Sequence, residues 1–483
     1  MQVTLNSQGF SYDVHSLVKA FYPEEDVTIT EEGDNGAVRI FITPDTIAGD
    51  DISGSVQISA DGPAGPVERR DDFSHIARAD VKNLVKRSLY FVLNELTGRE
   101  LSWGTMTGIR PVKVCMKLIR EKASDSDTAG YMKSVYLCSD KKTDLAINVA
   151  HTEKRILEDI RPGGFSLYVG IPFCPTTCMY CSFTSYPIAA CSGMVEDYLD
   201  ALKRELDFFA DHYDCGPDSV YIGGGTPTTL SAGQLSDLVS YIRRSFDMSS
   251  CREFTVEAGR PDSITDEKLA ALSDQGVSRI SINPQTMNDK TLRLIGRRHT
   301  SDDVYAAFEK ARRAHFTNIN TDIILGLPGE GLDEVALTLD KIRTLAPESL
   351  TVHSMALKRA AAMHEFLKDH RELIVKDTDR LMDMAQETAA AMDLHPYYLY
   401  RQKNMAGNLE NIGFAKEDCY GIYNVVIMEE VSDIAAAGAG TISKRVFGDG
   451  RIERCDNVKD VSLYIDRIDE MIERKKTLFN KGE

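Results

Sequence analysis

The spacing of apolar residues between positions 167 and 353 predicts a chain in which strands and helices alternate. Short apolar runs rich in Val and Ile predict buried strands, and apolar residues three or four positions apart predict helices. Consecutive strand–helix units predict an α/β fold with a parallel sheet. Because eight units close a full barrel, six predict an open, partial (βα)6 barrel whose site lies at the carboxyl ends of its strands. The predicted strands span residues 167–171, 219–222, 254–257, 279–282, 320–325 and 349–353.

Residues 1–160 carry a different pattern, which predicts an N-terminal α+β domain. Residues 34–36, Asp-Asn-Gly, predict a hairpin turn between strands at 27–30 and 38–42. No residue in this domain indicates a chemical function. The other predicted elements are a strand at 56–58 and a helix over 76–97 that Gly98 ends.

Two further regions follow this domain. The linker at residues 161–164, Arg-Pro-Gly-Gly, is a predicted boundary, and the barrel is predicted over residues 161–375. Residues 376–483 are predicted to form a C-terminal α/β region that covers the open mouth of the barrel. The single tryptophan, Trp103, lies in a loop of the first domain, where packing is favoured over a contact between domains.

Composition excludes several classes of protein. A length of 483 residues predicts two or three domains. The net charge of −18 opposes binding to nucleic acid and to anionic membranes. The chain has no apolar run of about 18 residues that could span a bilayer. Its first residues lack the basic and apolar parts of a signal peptide. The ten cysteines are therefore expected to be mostly free thiols in a reducing, cytoplasmic compartment.

Three closely spaced cysteines follow the first predicted strand of the barrel. Cys174, Cys178 and Cys181 stand at C-x3-C-x2-C spacing. Thiolates at this spacing can bind one iron–sulfur cluster, and three ligands leave the fourth iron of a four-iron cube open to a small molecule. The alternative is half of a zinc site, but zinc usually takes ligands from a second Cys or His pair, and the sequence shows no second pair. Cys191, ten residues after Cys181, is expected to be a buried thiol.

Glycine and polar residues end the next predicted strands. Residues 223–227, Gly-Gly-Gly-Thr-Pro, would let a ligand approach the backbone closely, and their amide groups could meet a carboxylate. Glu257 ends the third predicted strand, Gln285 follows the fourth, and Asp322 lies on the fifth. Taken singly, a glycine-rich turn is often only a tight turn, and a charge at a strand end is usually solvated. Together, opposite the cysteines, these residues favour a site for a polar ligand.

These motifs resemble the radical S-adenosylmethionine (SAM) superfamily, and within it the oxygen-independent coproporphyrinogen III dehydrogenase family, which also contains the HemW-type haem chaperones. The resemblance covers about residues 165 to 445, and the long N-terminal domain resembles the HemZ-like subgroup. The matching segments are residues 168–174, 178–181, 223–227, 326–329, 395–398 and 438–440.

The resemblance implies a ligand set and a cofactor site. Cys174, Cys178 and Cys181 would hold a [4Fe–4S] cluster, whose open iron would bind SAM. Arg297 would neutralise a carboxylate of SAM with its fork of donors. No catalytic acid or base is assigned. The residues implied to contact SAM are Gly224, Gly225 and Thr226 along the methionine part, Gln285 with Arg297, Asp322 at the ribose, Ala356 near the adenine, Tyr168 beside the cofactor and Glu257 at its strand end.

The implied reaction is the oxidative decarboxylation of coproporphyrinogen III to protoporphyrinogen IX in haem biosynthesis. A radical derived from SAM would take hydrogen from a propionate side chain, and loss of CO2 and one electron would leave a vinyl group. The implied partners are the tetrapyrrole substrate and an electron donor such as a flavodoxin or ferredoxin. The alternatives are a haem chaperone of the HemW type and a radical SAM enzyme that methylates or opens a tetrapyrrole.

Two positions depart from the pattern of the dehydrogenases. Phe183 stands where those enzymes carry a fourth cysteine, as in the chaperone-like branch, and Gly170 stands where the family often has histidine. Both departures leave radical chemistry in place and the choice of substrate open. A substrate with four carboxylates would need local cations in so acidic a chain. The candidate cations are Arg260, Arg298, Lys358, Arg359 and Arg401.

Overall fold

The computed structural model describes residues 1–31, 37–48, 51–63, 65–108, 110–356, 361–375, 378–401 and 409–480. The chain divides into two compact units. Met1–His151 and Leu399–Glu410 form the N-terminal unit, and Thr152–Tyr398 and Asn411–Glu483 form the barrel unit. Each unit is described by itself. The three-part division at residues 160 and 375 stays a prediction.

The N-terminal unit contains a five-stranded sheet in the order β2-β1-β3-β4-β5. Helices α1 and α2 contribute buried residues such as Leu17 and Leu89 to its core. The strands are β1 (Gln2–Leu5), β2 (Thr28–Thr30), β3 (Val38–Ala48), β4 (Asp51–Gly62) and β5 (Gly65–Ala77). The helices are α1 (Ser11–Phe21), α2 (Arg78–Thr97), α3 (Val112–Arg120), α4 (Asp125–Tyr136) and α5 (Asp140–Glu158), of which α5 continues into the barrel unit.

The predicted hairpin between residues 27–30 and 38–42 is wrong. The strands β2 and β3 both pair in parallel with β1, which lies between them. The sequence of β1 is too short to stand out, yet Val3 and Leu5 are fully buried in the core. The turn residues 34–36 lie outside the described residues. The antiparallel hairpins of this sheet instead join β3 to β4 and β4 to β5.

Other expectations for this unit are confirmed. Residues 56–58 lie in β4, and α2 ends where Gly98 takes a φ of +63° and its N–H donates to the carbonyl of Asn94. Trp103 is buried, and its Nε1 donates a hydrogen bond of 2.7 Å to Glu410. Glu410 also pairs with Lys142. Trp103 therefore has a packing role inside the N-terminal unit.

The barrel unit is organised around an eleven-stranded sheet in the order β14-β15-β13-β12-β11-β10-β9-β6-β16-β17-β18. The six predicted strands, β6 and β9 to β13, are neighbours in chain order and pair in parallel. This open sheet confirms the α/β partial barrel. The strands are β6 (Phe165–Ile171), β7 (Phe173–Cys174), β8 (Tyr186–Pro187), β9 (Ser219–Gly224), β10 (Glu253–Gly259), β11 (Arg279–Ile282), β12 (Ile319–Leu325), β13 (Ser349–Ser354), β14 (His395–Tyr400), β15 (Asn411–Ala415), β16 (Asp433–Ala437), β17 (Ile442–Val446) and β18 (Ile452–Asp456).

The helices of this unit follow the predicted alternation. Local signals set their ends: at the start of α8, Ser231 and Gln234 bond to each other's backbone N–H groups as a capping box. The helices are α6 (Ile188–Cys191), α7 (Val195–His212), α8 (Ala232–Ser245), α9 (Asp266–Asp274), α10 (Asp289–Leu294), α11 (Ser301–Arg313), α12 (Leu332–Leu345), α13 (Ala362–Asp369), α14 (Thr378–Ala391), α15 (Ile422–Glu429), α16 (Val461–Asp466) and α17 (Ile468–Phe479).

The C-terminal strands extend both edges of the six-stranded core. Strand β16 pairs in parallel with β6, and β15 pairs antiparallel with β13. These pairings satisfy backbone groups that an open sheet would otherwise expose at its edges. That the C-terminal region also covers the barrel mouth stays a prediction. Among the described residues, no helix has the length and apolar character needed to cross a membrane.

A fully buried ion pair holds α17 against α7. Lys475 pairs with Glu205, and both side chains are buried completely. Glu205 also accepts hydrogen bonds from Tyr464 at 2.5 Å, from the backbone N–H of Gly438 at 2.7 Å and from Asn457 at 2.8 Å. A buried charge with this many donors is well compensated. The network therefore fixes the last helix and the Gly438 loop to the barrel.

Candidate functional site

The three predicted ligand cysteines lie on one loop at the carboxyl end of β6. Cys178 is buried, and Cys174 and Cys181 are half-buried. The loop turns back on itself, because the N–H of Cys181 donates to the carbonyl of Cys178 at 3.1 Å. Burial raises the pKa of the Cys174 thiol to about 11 and raises the pKa of Cys181 as well. Metal binding must therefore displace thiol protons at neutral pH.

Arg260 holds the middle of the cysteine loop. Its Nη1 donates to Thr176 Oγ1 at 2.6 Å and to the Thr176 carbonyl at 3.2 Å, and its Nη2 pairs with Asp262 at 2.7 Å. The backbone N–H of Met179 adds a bond of 3.1 Å to the carbonyl of Ile295. Arg260 is only 3% exposed. Its contacts thus replace the predicted role as a substrate cation with that of positioning the cysteine loop.

The cysteine loop fits a cluster better than a single ion. Cys174 lies near enough to Cys178 and Cys181 for their charges to affect its pKa. Within the described ranges, no three His, Cys, Asp or Glu side chains are close enough together to hold one metal ion. A four-iron cluster has a different requirement, because each thiolate binds a separate iron. Three half-buried or buried thiols on one loop meet that requirement.

The three-glycine segment packs tightly on the strand that leads to the cysteines. The N–H of Gly225 donates to the carbonyl of Ile171, and the N–H of Thr226 donates to that of Phe173, both at 2.7 Å. A Cβ at Gly225 would lie 2.6 Å from the Phe173 carbonyl oxygen, so only glycine fits. These two amides are therefore engaged by the protein, contrary to the expectation that they meet a ligand. Thr226 Oγ1 also lies 3.5 Å from the sulfur of Cys174.

Glu257 lies next to the glycine segment and beside three tyrosines, Tyr168, Tyr221 and Tyr423. Tyr221 donates a hydrogen bond of 2.6 Å to Glu257 Oε1. Its ring stacks on Tyr423 with centroids 4.8 Å apart, and Tyr168 stacks on Tyr423 at 5.6 Å. A Cβ at Gly223 would lie 3.0 Å from Glu257 Oε1. Burial raises the pKa of Glu257 to about 7, and the nearby charge of Asp322 acts in the same direction.

Asp322 lies within a network of hydrogen-bond donors on neighbouring strands. Asn320 Nδ2 donates to Asp322 Oδ1 at 2.7 Å, and His353 Nε2 lies 3.8 Å from Oδ2. Burial acts to raise the pKa of Asp322, but His353, Asn320 and Thr351 together hold it below its ordinary value. Asp322 and Glu257 are thus two nearby carboxyl groups of which Asp322 ionises first. That arrangement suits a cavity in which one carboxylate accepts hydrogen bonds from a ligand.

Gln285 lies beside Asp322, and Arg297 lies beside the cysteine loop. Gln285 has a φ of +71°, its N–H donates to the carbonyl of Asp322 at 3.0 Å, and its buried Oε1 has no hydrogen-bond partner. Arg297 is buried, donates to Tyr180 at 3.2 Å and to the Asn283 carbonyl at 2.5 Å, and lies near Cys178. An unsatisfied buried amide oxygen in a strained backbone position is what a ligand-binding side chain shows before its ligand arrives.

The structure thus brings the predicted residues together in two adjoining groups. Thr226 and Arg297 lie beside Cys174 and Cys178. The second group surrounds Glu257. Its members are Tyr168, Gly223, Asp322 and Gln285, and a Cβ at Gly224 would lie 3.5 Å from the hydroxyl of Tyr168. Ala356 is half-buried just after β13, and its place near an adenine stays a prediction.

Sequence reasoning missed four side chains of this region. Tyr221 contacts Glu257, and His353 lies near Asp322. Tyr423, which stacks on Tyr221, comes from α15, far away in the chain. His299 is almost completely buried, and neither of its ring nitrogens has a hydrogen-bond partner. The position of Tyr221, two residues before Gly223 on the same strand face, is a signal that would have revealed it.

The remaining candidate cations differ in location. Arg401 belongs to the N-terminal unit, where it is buried above the ring of Trp103 at 5.7 Å and donates to the carbonyl of Met106. Those contacts do not support its predicted place facing a substrate. Arg298 is exposed beside the buried Arg297. Lys358 and Arg359 lie outside the described residues.

Comparison with known proteins agrees with this geometry. The radical SAM superfamily model matches residues 168–342, which include all three cysteines and the glycine segment. The oxygen-independent coproporphyrinogen-III oxidase-like protein HemZ of Bacillus subtilis is 38% identical over 415 residues, covering 83% of this chain and 82% of its own length. The chain belongs to the HemZ-like group of the radical SAM superfamily.

Other relatives of this HemZ-like protein include both a haem chaperone and a coproporphyrinogen III oxidase. The haem chaperone HemW of Bacillus subtilis is 35% identical over 243 residues, which is 50% of this chain and 63% of HemW. The solved structure of coproporphyrinogen III oxidase (HemN) from Escherichia coli, a radical SAM enzyme, superposes with a TM-score of 0.52 at 26% identity. That match covers 67% of this chain and 73% of HemN. Radical SAM proteins use a [4Fe–4S] cluster and SAM, and the cysteine loop and the polar groups beside it fit both cofactors.

The two departures from the dehydrogenase pattern have structural correlates. A Cβ at Gly170 would lie 2.5 Å from the methyl group of Thr441, so this HemZ-like chain has no room for histidine there. Phe183, two residues after Cys181, is 72% exposed. The structure explains the glycine by local packing and gives no such reason for the phenylalanine.

Proposed function

We propose that this protein catalyses the oxygen-independent oxidative decarboxylation of coproporphyrinogen III to protoporphyrinogen IX. The observation that carries the proposal is the joint occurrence, at the carboxyl ends of parallel strands, of the cysteine loop and the polar group around Glu257 and Asp322. HemZ is described as coproporphyrinogen-III oxidase-like, and HemN is a coproporphyrinogen III oxidase. The proposal extends that activity to this chain.

The bound cluster and SAM supply hydrogen-atom abstraction from an unactivated carbon of the substrate. In this proposal Cys174, Cys178 and Cys181 hold the cluster, and Arg260 keeps their loop in place through Thr176. Arg297 orients the carboxylate of SAM through its guanidinium group.

Three further residues orient the rest of the cofactor. Asp322, held ionised by its donors, accepts hydrogen bonds from the ribose hydroxyls, and Gln285 Oε1 accepts one from a donor of SAM. Glu257 is partly protonated at neutral pH, because burial raises its pKa to about 7, and it hydrogen-bonds the cofactor beside Tyr168. The stacked tyrosines exclude water from a site where a carbon radical would attack the wrong neighbour.

The substrate needs cations that the cysteine loop does not already use. Arg260 is paired with Asp262, which leaves the exposed Arg298 as the described candidate. We propose that Arg298 contacts a propionate of the tetrapyrrole. We also propose that an electron donor such as a flavodoxin or ferredoxin reduces the cluster and that the reaction takes place in the cytoplasm.

The second candidate function is haem transfer by a chaperone of the HemW type. It is favoured by the similarity to HemW and by Phe183, which this chain carries in place of a fourth cysteine. A radical SAM enzyme that methylates or opens a tetrapyrrole is a further alternative, which rests on the same cofactor site.

One experiment separates these functions. The reconstituted protein is incubated without oxygen with coproporphyrinogen III, SAM and dithionite, and CO2 and tetrapyrroles are measured. The proposal expects protoporphyrinogen, preceded by a three-carboxylate intermediate, because two propionates must react in turn. A Cys178→Ser control should form neither. Stoichiometric haem binding without CO2, while SAM is cleaved, would establish the chaperone instead, and a methylated or opened product would establish the third alternative.

A further inference from the structure

The cysteine loop lies in a stretch of chain without charge. Residues 162–195 contain no Asp, Glu, Lys, Arg or His, although 27% of the whole chain is charged and its net charge is −18. Much of the first part of this stretch is the buried strand β6, where charges are not expected. The part that follows Cys174 is different, because many of its residues reach the surface.

We define the neutral surface as the exposed residues of this later part. Phe183, at 72% exposed, is its most prominent apolar side chain. Charged residues begin at its border, where the hydroxyl of Tyr186 bonds to the carbonyl of Lys459 and Asp460 lies near Cys191. The neutral surface consists of Thr177, Ser182, Phe183, Pro187, Ala189, Ala190, Ser192 and Gly193.

The centres of protein interfaces are poor in charged residues and rich in aromatic ones, and the neutral surface, with Phe183 exposed among small uncharged residues, has that composition. We infer that the neutral surface is the docking site of a small, acidic one-electron donor protein of the flavodoxin class, which reduces the cluster. The inference rests on the proposed function only in requiring that the cluster be reduced.

Two observations select this occupant. The neutral surface is continuous with the cysteine loop, since Phe183 follows the half-buried Cys181 by two residues, so a protein docked there lies next to a cluster ligand. The charge of the chain supplies the second observation. A net charge of −18 opposes the approach of an acidic donor, and the neutral surface adds no like charge of its own to that repulsion.

The electron count of the step is simple. The reduced donor loses one electron and passes from its two-electron-reduced to its one-electron-reduced state. The cluster gains that electron, and no covalent bond forms or breaks. Small redox complexes of this kind use interfaces at the low end of the size range, and the neutral surface would form the uncharged centre of such an interface.

The test introduces charge at Ala190, which lies on the exposed part of α6. Cluster reduction is followed by stopped-flow absorbance with two-electron-reduced flavodoxin, without SAM or tetrapyrrole, in wild type, Ala190→Glu and Ala190→Lys. The matched control is Leu337→Glu, which places the same charge on another exposed apolar position, on α12. Dithionite serves as a small reductant that needs no docking site, and sedimentation measures self-association.

The inference expects Ala190→Glu to lower the second-order rate constant with flavodoxin by about tenfold, because like charges oppose docking. Ala190→Lys should keep or raise the rate. Leu337→Glu should change it by less than about twofold, and dithionite should reduce all variants alike. Because no tetrapyrrole is present, the result does not depend on which substrate the protein uses.

Each contrary result overturns the inference. Equal rates for wild type and Ala190→Glu, or an equal loss in Leu337→Glu, would show that the neutral surface is not the docking site. An equal loss with dithionite would show that Ala190→Glu acts through the cluster itself. A wild-type protein that flavodoxin does not reduce, or a dimer that Ala190→Glu dissociates, would assign the surface to another occupant.

Discussion

Tyr221 donates a hydrogen bond of 2.6 Å to Glu257 across the neighbouring strands β9 and β10. This bond joins the stacked tyrosines to the carboxyl group of Glu257. Both side chains lie next to the glycine segment, since a Cβ at Gly223 would touch each of them. The bond also favours the ionised form of Glu257, against the effect of burial. The ionisation of Glu257 is therefore a sensitive probe of this part of the site.

The raised pKa of Glu257 predicts a pH-dependent stability. The folded protein holds this proton up to about pH 7, whereas the unfolded chain releases it near the ordinary value of 4.5. Between these two values the unfolded state binds fewer protons, so the contribution of Glu257 to the free energy of unfolding falls as pH rises, by about 1 to 3 kcal/mol.

Urea unfolding at several pH values measures this contribution. Glu257→Gln should flatten the pH dependence between about 4.5 and 7 relative to wild type. Tyr221→Phe should move the loss of stability to higher pH, because it removes a bond to the carboxylate form. Tyr423→Phe keeps that bond and is the matched control. Parallel pH profiles for wild type and Glu257→Gln would contradict the assignment.

Arg260 is predicted to govern how firmly the cluster is held. Arg260→Ala removes its two bonds to Thr176 and leaves Asp262 with less compensation, so the cysteine loop should loosen. We expect the cluster to be lost to a chelator about tenfold faster than in wild type. The decay of the cluster's visible absorbance gives the rate. Arg298→Ala, which changes an exposed neighbour of Arg297, should leave that rate unchanged, and an equal effect in both variants would disprove the role of Arg260.

Asp322 and Arg297 are predicted to bind SAM. Asp322→Ala and Arg297→Ala should each weaken SAM binding to the cluster-loaded protein by about 1.5–3 kcal/mol, the range for a lost hydrogen bond to a charged group. Titration calorimetry measures the affinities, and iron content checks that the cluster is retained. Asn318→Ala, at the amino end of β12, is the control. Wild-type affinity in both variants would remove these residues from the cofactor site.

The buried pair of Glu205 and Lys475 is predicted to be a stabilising contact between α7 and α17. Lys475→Met leaves the carboxylate of Glu205 buried with one donor fewer, and it should lower the free energy of unfolding by about 3–5 kcal/mol. Combining it with Glu205→Gln removes the buried charge and should recover part of the loss. Denaturant unfolding tests both variants, and a double variant no more stable than Lys475→Met would contradict this account.

The sequence predicted the barrel well because its signals are local and repeated. Each of the strands β6 and β9 to β13 is a short apolar run followed by a helix, and parallel pairing in chain order follows from that alternation. The false hairpin in the first domain had the opposite cause. The short strand β1 lies between β2 and β3 and pairs with both. No local sequence pattern shows that a third strand will separate two strands that are neighbours in the chain.

The residues of the candidate site that belong to a sequence motif were predictable. The residues that the tertiary fold brings to the site from distant parts of the chain were not. The cysteines and the glycine segment are visible in the sequence by spacing alone. Tyr423 reaches the tyrosine group from α15, and Arg260 reaches Thr176 from the end of β10, contacts that exist only after the chain folds. The position of Arg401 inside the N-terminal unit could not be foreseen for the same reason.

The most direct test of the proposed function follows one hydrogen atom. Coproporphyrinogen III carrying deuterium at the propionate carbon that loses hydrogen is incubated without oxygen with the reduced protein and SAM, and 5′-deoxyadenosine is analysed by mass spectrometry. The proposal predicts that 5′-deoxyadenosine acquires one deuterium and that labelled CO2 appears when the carboxylates carry carbon-13. Formation of 5′-deoxyadenosine without deuterium, at the same rate with and without the tetrapyrrole, would contradict it.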